Sequence, residues 1–246
     1  MPGTNSETGH YKNVANFQGL IHFCESLGTA YQPSRPDMII PQLKEYYNKA
    51  VAIMEQVTNA EIMQSQSRQN RNNLFEDTKK LAARASNTLE IANPASTAIK
   101  TSKYYIAKIR GRRLGVVTPG TEATKAEDAP KTRSVSQTSY DATITHFEKL
   151  IGAILTEPGY APNEADITIS GLQKRLAELK EVNQETVRVT GQLKLLISQR
   201  DQMLYTPMTG LNAVALSVKQ YIKVVYGAGS NELRAANMFS FRKVGN

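Results

Sequence analysis

The sequence predicts an all-α fold, and three observations carry that prediction. No glycine occurs from Thr29 to Arg110 and no proline from Gln42 to Asn93, so residues 42–93 hold neither helix breaker. Inside a helix a glycine costs about 1 kcal/mol and a proline about 3, so a stretch this long without either favours helix. Leu172 to Thr206 is interrupted only by Gly191 before Pro207, and Gln, Lys, Ala, Leu and Glu fill both stretches. The chain has no tryptophan and no alternating β-branched runs flanked by hairpin turns, which leaves little from which to build a sheet.

Residues 1–12 are polar and contain glycine, and they read as a flexible tail. The first helix is expected over about Val14 to Leu27, where Val14, Phe17, Leu20, Ile21, Cys24 and Leu27 share one apolar face. Gly28 follows as its C′ stop, a position where a left-handed backbone costs glycine no Cβ clash. An extended linker holding Tyr31 and Pro33 comes next, because each proline keeps the preceding residue out of the helical region. Asp37 stands just before the second helix, where a carboxylate can accept free N–H groups. That helix is expected from about Pro41 to Glu76, with Leu43, Tyr47, Ala50, Ile53 and Val57 as its seam, and a third from about Thr78 to Ile91. A tail helix begins near Ser96, and Tyr104-Tyr105 through Arg113 gives the segment an aromatic and basic end.

The series then recurs. A shift of 129 positions matches Tyr31 to Tyr160, Pro33 to Pro162, Asp37 to Asp166, Ile40 to Ile169, Leu43 to Leu172 and Arg71 to Arg200. Just upstream, a shift of 130 matches Phe17 to Phe147, Leu20 to Leu150 and Ile21 to Ile151. One register of this kind predicts a tandem duplication of a three- to four-helix unit, with one long central helix per copy. In the second copy Ile144, Phe147, Leu150, Ile151 and Ile154 form the first apolar face, and Leu172, Leu176, Leu179 and Val182 the long seam. Gly210 to Tyr226 supplies the third helix, Gly227 its stop, and a tail helix from Ser230 leads into Phe239-Ser-Phe-Arg-Lys243. A helix of roughly 35 residues extends about 50 Å, more than one short neighbour can cover. Two copies that shield each other's bare side would pack as one elongated bundle about a pseudo-twofold axis. The expected organisation is a tail at 1–12, a first repeat at 13–110, a basic linker at 111–138 and a second repeat at 139–246.

The chain has 246 residues, of which 40% are apolar and 21% charged, and a mean hydropathy of −0.40. That composition is globular rather than disordered, and the length suffices to bury a core without staples. A single cysteine, Cys24, excludes an internal disulfide and fits a reducing compartment. The N-terminus lacks a basic-then-apolar organisation and no run approaches the roughly 18 apolar residues of a membrane span, so a cytoplasmic protein is expected. The net charge of +8 is unevenly spread. Residues 101–134 carry eight basic against three acidic residues, leaving only +3 for the other 212. The excess therefore lies mainly in a linker-like stretch rather than over a folded face.

Candidate chemistry is sparse. A di-iron bundle needs Glu-x-x-His on inward faces, and only Glu7-Thr-Gly-His10 matches, in the expected tail. His22 and His146 lack the motif, are not repeat-equivalent and read as partly exposed helix histidines. Cys24 falls on the apolar seam and reads as core. No serine sits in a nucleophile-elbow string. Gly115-Val-Val-Thr-Pro-Gly120 has P-loop glycine spacing but is followed by Thr121-Glu122 and preceded by no strand, and Gly227-Ala-Gly229 lacks a third glycine. Both read as turns.

The sharpest polar feature is Lys108, Arg110, Arg112 and Arg113 beside Tyr104 and Tyr105. Four cations in six residues can neutralise phosphates while the rings stack on bases. The plainer reading is a helix whose cations complement its C-terminal dipole. Tyr31, Pro33 and Asp37, with Tyr160, Pro162 and Asp166, read as repeated architecture, each ring packing between helices while its hydroxyl finds a partner. The expectation is a non-enzymatic scaffold or interaction module without cofactor, metal or catalytic residue, whose partner is a protein or a second copy. Accessory nucleic-acid binding through the basic linker is the alternative, and a metal-binding or enzymatic bundle the least favoured.

Overall fold

The structure is a computed structural model and describes residues 5–111 and 139–244. Among them are seven α-helices: α1 (Asn5–Ser26), α2 (Ile40–Ala92), α3 (Ala98–Ile109), α4 (Tyr140–Leu155), α5 (Ile169–Tyr205), α6 (Leu211–Tyr226) and α7 (Asn231–Met238). Short 3-10 turns cover Gly28–Ala30 and Pro36–Met38, and the described residues contain no strand. The fold class is all-α. No helix among the described residues is long and apolar enough to cross a membrane.

The chain forms two compact units, and the division falls inside both long helices. Unit 1 joins the chain up to Gln64 with the chain from Val189 onward, and unit 2 is Ser65–Arg188. Unit 1 closes around Phe17, Leu20 and Cys24 of α1, Leu43 and Met54 of α2, Leu204 of α5 and Leu211, Val218 and Ile222 of α6. Unit 2 closes around Phe75 and Leu89 of α2, Ile106 of α3, Phe147, Leu150 and Ile154 of α4, and Leu172 and Leu179 of α5. The expected apolar face of α4 is buried throughout and that of α1 from Val14 to Cys24. On α2, Leu43, Ala50 and Val57 are buried with Met54 while Tyr47 and Ile53 are half-buried, and on α5 Leu172 and Leu179 are buried and Leu176 and Val182 half-buried. Removing a fully enclosed leucine or phenylalanine from either core is expected to cost about 2–5 kcal/mol.

Where α2 and α5 meet, polar pairs supplement the apolar ones. In unit 1 a small cluster of Val57, Ala60 and Leu193 is followed by Gln64 Nε2 donating to Thr190 Oγ1 at 3.3 Å. In unit 2 the hydroxyls of Ser67 and Thr186 lie 2.8 Å apart, and Arg71 Nη1 donates to Asn183 Oδ1 at 3.2 Å. Numbers rise along one helix as they fall along the other, so α2 and α5 run antiparallel within each unit.

Several ends follow from local chemistry. Gly28 and Gly227 adopt φ of +60° and +92° just beyond α1 and α6, the backbone that C′ glycines supply. Ser230 Oγ accepts from Leu233 N at 3.1 Å and caps α7, and Ser139 Oγ accepts from Ala142 N at 3.1 Å and caps α4. Ser96 Oγ accepts from Ala98 N at the start of α3.

Three expectations are corrected. Helix α1 begins at Asn5, not near Val14, so residues 5–12 belong to a helix and His10 is buried. The break expected near Asp77 does not exist, and α2 runs unbroken for 53 residues. Thr78 is fully buried in it and donates its hydroxyl to the Leu74 carbonyl at 2.7 Å. The position 129 later is Pro207, which has no N–H and ends α5 at Tyr205. Finally, Asp37 and Asp166 do not cap the long helices. Asp37 lies in a 3-10 turn and accepts from the Arg35 guanidinium, Asp166 accepts from Arg84, and Thr168 Oγ1 receives Gly171 N at the start of α5.

Candidate functional site

The aromatic and basic end of α3 is exposed in part. Tyr104 is 47% exposed, Tyr105 and Lys108 are half-buried, and Arg110 is exposed at the helix C-cap. The Tyr104 and Tyr105 rings meet edge to face at 5.3 Å, and Lys108 Nζ stands 5.7 Å from the Tyr104 ring centre. One aromatic face and one cation thus converge near the end of this helix, where cations also complement the dipole. Arg112, Arg113 and residues 112–138 of the expected linker lie outside the described residues.

Behind this surface lies a histidine that the sequence placed partly in solvent. His146 is 9% exposed, its ring stacks 6.3 Å from that of Tyr105, and neither ring nitrogen has a hydrogen-bond partner. Helix α3 packs on the face of α4 that carries it. Burial first, then Lys108 and Lys149, hold its pKa below the ordinary 6.5, so the imidazole is neutral at pH 7. Both charged neighbours that act on it are lysines, which oppose an imidazolium.

The other two histidines are held by neighbours. His10 Nδ1 lies 2.6 Å from the Tyr205 hydroxyl, and His22 Nδ1 lies 2.9 Å from Glu25 Oε2 on the surface. Cys24 sits in the unit 1 core as its register predicts, and burial pushes its thiol up to about 12. Among the described residues no group of three or more His, Cys, Asp or Glu side chains is placed to hold a metal ion.

The repeated tyrosines occupy matching places. Tyr31 Oη donates to the Met38 carbonyl at 2.8 Å, and Tyr160 Oη to the Ile167 carbonyl at 2.6 Å. Both rings are buried, and both bonds span seven residues in turns 129 apart. Pro33 is buried inside the first loop, and Pro162 is half-buried inside the second. The paired arginines are held in their two units by different partners. Arg71 lays its guanidinium 3.8 Å from the Tyr140 ring centre. Arg200, only 2% exposed, donates Nε and Nη2 to Asp201 Oδ1 at 3.0 and 2.9 Å. Sequence reading found the Arg71–Arg200 match but not that Arg200 is buried and Arg71 half-buried. The available signal was an arginine recurring in register inside a long helix.

Open grooves border these features. One of about 420 Å³ in unit 2 is lined by Phe75, Lys79, Ile109, Arg110 and Tyr140. Another, of about 670 Å³ in unit 1, runs past Lys194, Asp201, Tyr205 and Lys243. Comparison with protein families, curated proteins and solved structures finds no match to this chain, so its functional reading rests on these residues alone.

Proposed function

We propose that this chain is a non-enzymatic helical scaffold, duplicated within one polypeptide, that offers helical faces to proteins, a second copy of itself included. The observation that carries the reading is the character of the exposed surface of unit 1. Leu216 and Val224 stand 58% and 74% exposed on the side of α6 away from its core stripe, while Ile62, Met63 and Leu195 are half-exposed on the long helices. Many charged side chains pair locally instead, as in Lys49 with Glu45 and Lys44 with Glu25. Solitary exposed apolar residues are ordinary, but their recurrence on long, regular helices suits docking against another helical surface.

The duplication is supported by the two Tyr-to-carbonyl locks in one register and by the matched arginines. It is supported further by units that each draw on both halves of the chain, which is how two copies with long helices would complete one another. The elongated bundle expected from helix length belongs to this same proposal, as does a cytoplasmic setting, which suits a lone buried thiol.

Sedimentation velocity of the full chain from low to high micromolar concentration tests the reading. A concentration-dependent shift from monomer to dimer, weakened by Leu216→Glu with Val224→Glu, is expected. A monomer throughout would overturn self-association.

The exposed Tyr104 ring with Lys108 and Arg110 favours accessory nucleic-acid binding as a second reading. Fluorescence anisotropy with single- and double-stranded oligonucleotides decides it. Binding that falls with salt and with Lys108→Glu and Arg110→Glu supports this reading, and no binding at low salt removes it.

A further inference from the structure

The segment after α7 lies on α1 as a bound peptide would. Phe239 to Val244 runs antiparallel to α1, from beside Gly19 to beside Gly9. The ten residue steps from Gly9 to Gly19 span about 15 Å of helix, and five steps of extended chain cover about 16 Å, so the two lengths match.

Recognition is largely of backbone. Asn13, almost fully buried, donates Nδ2 to the Arg242 carbonyl at 2.7 Å and accepts from Arg242 N at 3.1 Å. The two bonds close a ring of the kind a neighbouring strand would form. Asn16 Nδ2 donates to the Ser240 carbonyl at 2.6 Å, and Lys219 Nζ of α6 to the Phe239 carbonyl at 2.5 Å.

Side chains give the groove its selectivity. A Cβ at Gly19 would stand 2.4 Å from the Phe239 ring, and one at Gly9 would stand 2.7 Å from Val244. These two glycines open shallow seats inside a helix, where each costs about 1 kcal/mol relative to alanine. Lys219 Nζ also faces the Phe241 ring at 5.1 Å, and burial lowers the pKa of that ammonium.

We propose that this face of α1 is a peptide-binding groove for an extended Phe-x-Phe-Arg-x-Val segment, filled in cis by Phe239–Val244 and in trans by the same segment of a second copy. The trans occupant rests on the scaffold reading above, and the cis site does not. The sequence the groove fits is this chain's own, joined to unit 1 through the end of α7, so an identical segment from another copy meets the same donors and seats. A tethered segment acts at an effective concentration near the millimolar range, so exchange emerges at high protein concentration or when the cis segment is weakened.

The test uses the full chain and a fluorescent peptide of residues 238–244. In anisotropy titrations the Phe239→Ala, Phe241→Ala variant, whose groove is intact, should bind the peptide about tenfold or more tighter than the unsubstituted chain. Adding Asn13→Ala or, separately, Gly19→Ala should abolish that binding, with circular dichroism reporting that each variant remains helical. Absence of peptide binding to the weakened variant, or binding that survives both groove substitutions, overturns the site. A sedimentation dimer lost with Asn13→Ala supports exchange. A dimer lost only with the α6 substitutions upholds the scaffold reading and overturns the trans occupant.

Discussion

Replacing Tyr160 by phenylalanine removes one oxygen from a buried turn and leaves its ring in place. The hydroxyl lies 2.6 Å from the Ile167 carbonyl oxygen, and the matching hydroxyl of Tyr31 lies 2.8 Å from that of Met38. A neutral, enclosed hydrogen bond contributes about 1 kcal/mol net, and the carbonyl left behind raises the cost of its loss to between about 1 and 2 kcal/mol. Burial pushes the Tyr160 phenol up to about 12, so it is protonated and donating near neutral pH. A folded pKa above the unfolded value near 10 favours the neutral phenol in the folded state. The contribution is therefore complete below about pH 10 and declines as pH rises toward 12. Tyr160→Phe and Tyr31→Phe should each lower the free energy of urea unfolding by that same 1–2 kcal/mol, about. Hydrogen exchange should assign the loss to unit 2 for the first and to unit 1 for the second. Two variants within about 0.3 kcal/mol of the unsubstituted chain would refute the stabilising role of these bonds, and one costly variant beside one neutral would refute the equivalence of the two turns.

Three further outcomes follow from other sites. His146 has a folded pKa below the unfolded 6.5, so its unfavourable protonation destabilises unit 2 as pH falls through that value. The urea midpoint should drop between about pH 7.5 and about pH 5.5, and His146→Phe should flatten that slope. Cys24 should resist thiol reagents in the folded chain and react fully in denaturant, since its thiol is buried and its pKa is near 12. Gly28→Ala forces a Cβ into a backbone at φ +60° and should cost about 1–2 kcal/mol by urea unfolding.

Much of the helical framework was legible in the sequence because it follows from local rules. The period of Phe17, Leu20, Ile21 and Cys24 marks a buried face, and Gly28, Gly227 and Ser230 end or start helices through their own backbone and side-chain chemistry. What escaped depends on distant neighbours. The first turns of α1 carry no apolar stripe, and Gly9 argues against helix until Val244 is found seated on it. The continuity of α2 through Thr78 reflects packing of a fully buried residue that no propensity discriminates from a break. His146 reads as polar and peripheral on α4 alone, but α3 covers it. Of the candidate basic site, Tyr104 and Lys108 do converge, whereas the tail groove was visible only as an aromatic and basic ending whose partner is α1.

The composition of each unit from both halves of the chain is tested most directly by hydrogen exchange of the full protein under mildly destabilising conditions. Segments around Phe17–Met54 and Leu204–Ala236 should lose protection together, with one opening free energy, and segments around Phe75–Ile109 and Ile144–Leu179 with another. Opening that instead groups residues 13–110 apart from residues 139–244 would contradict the account.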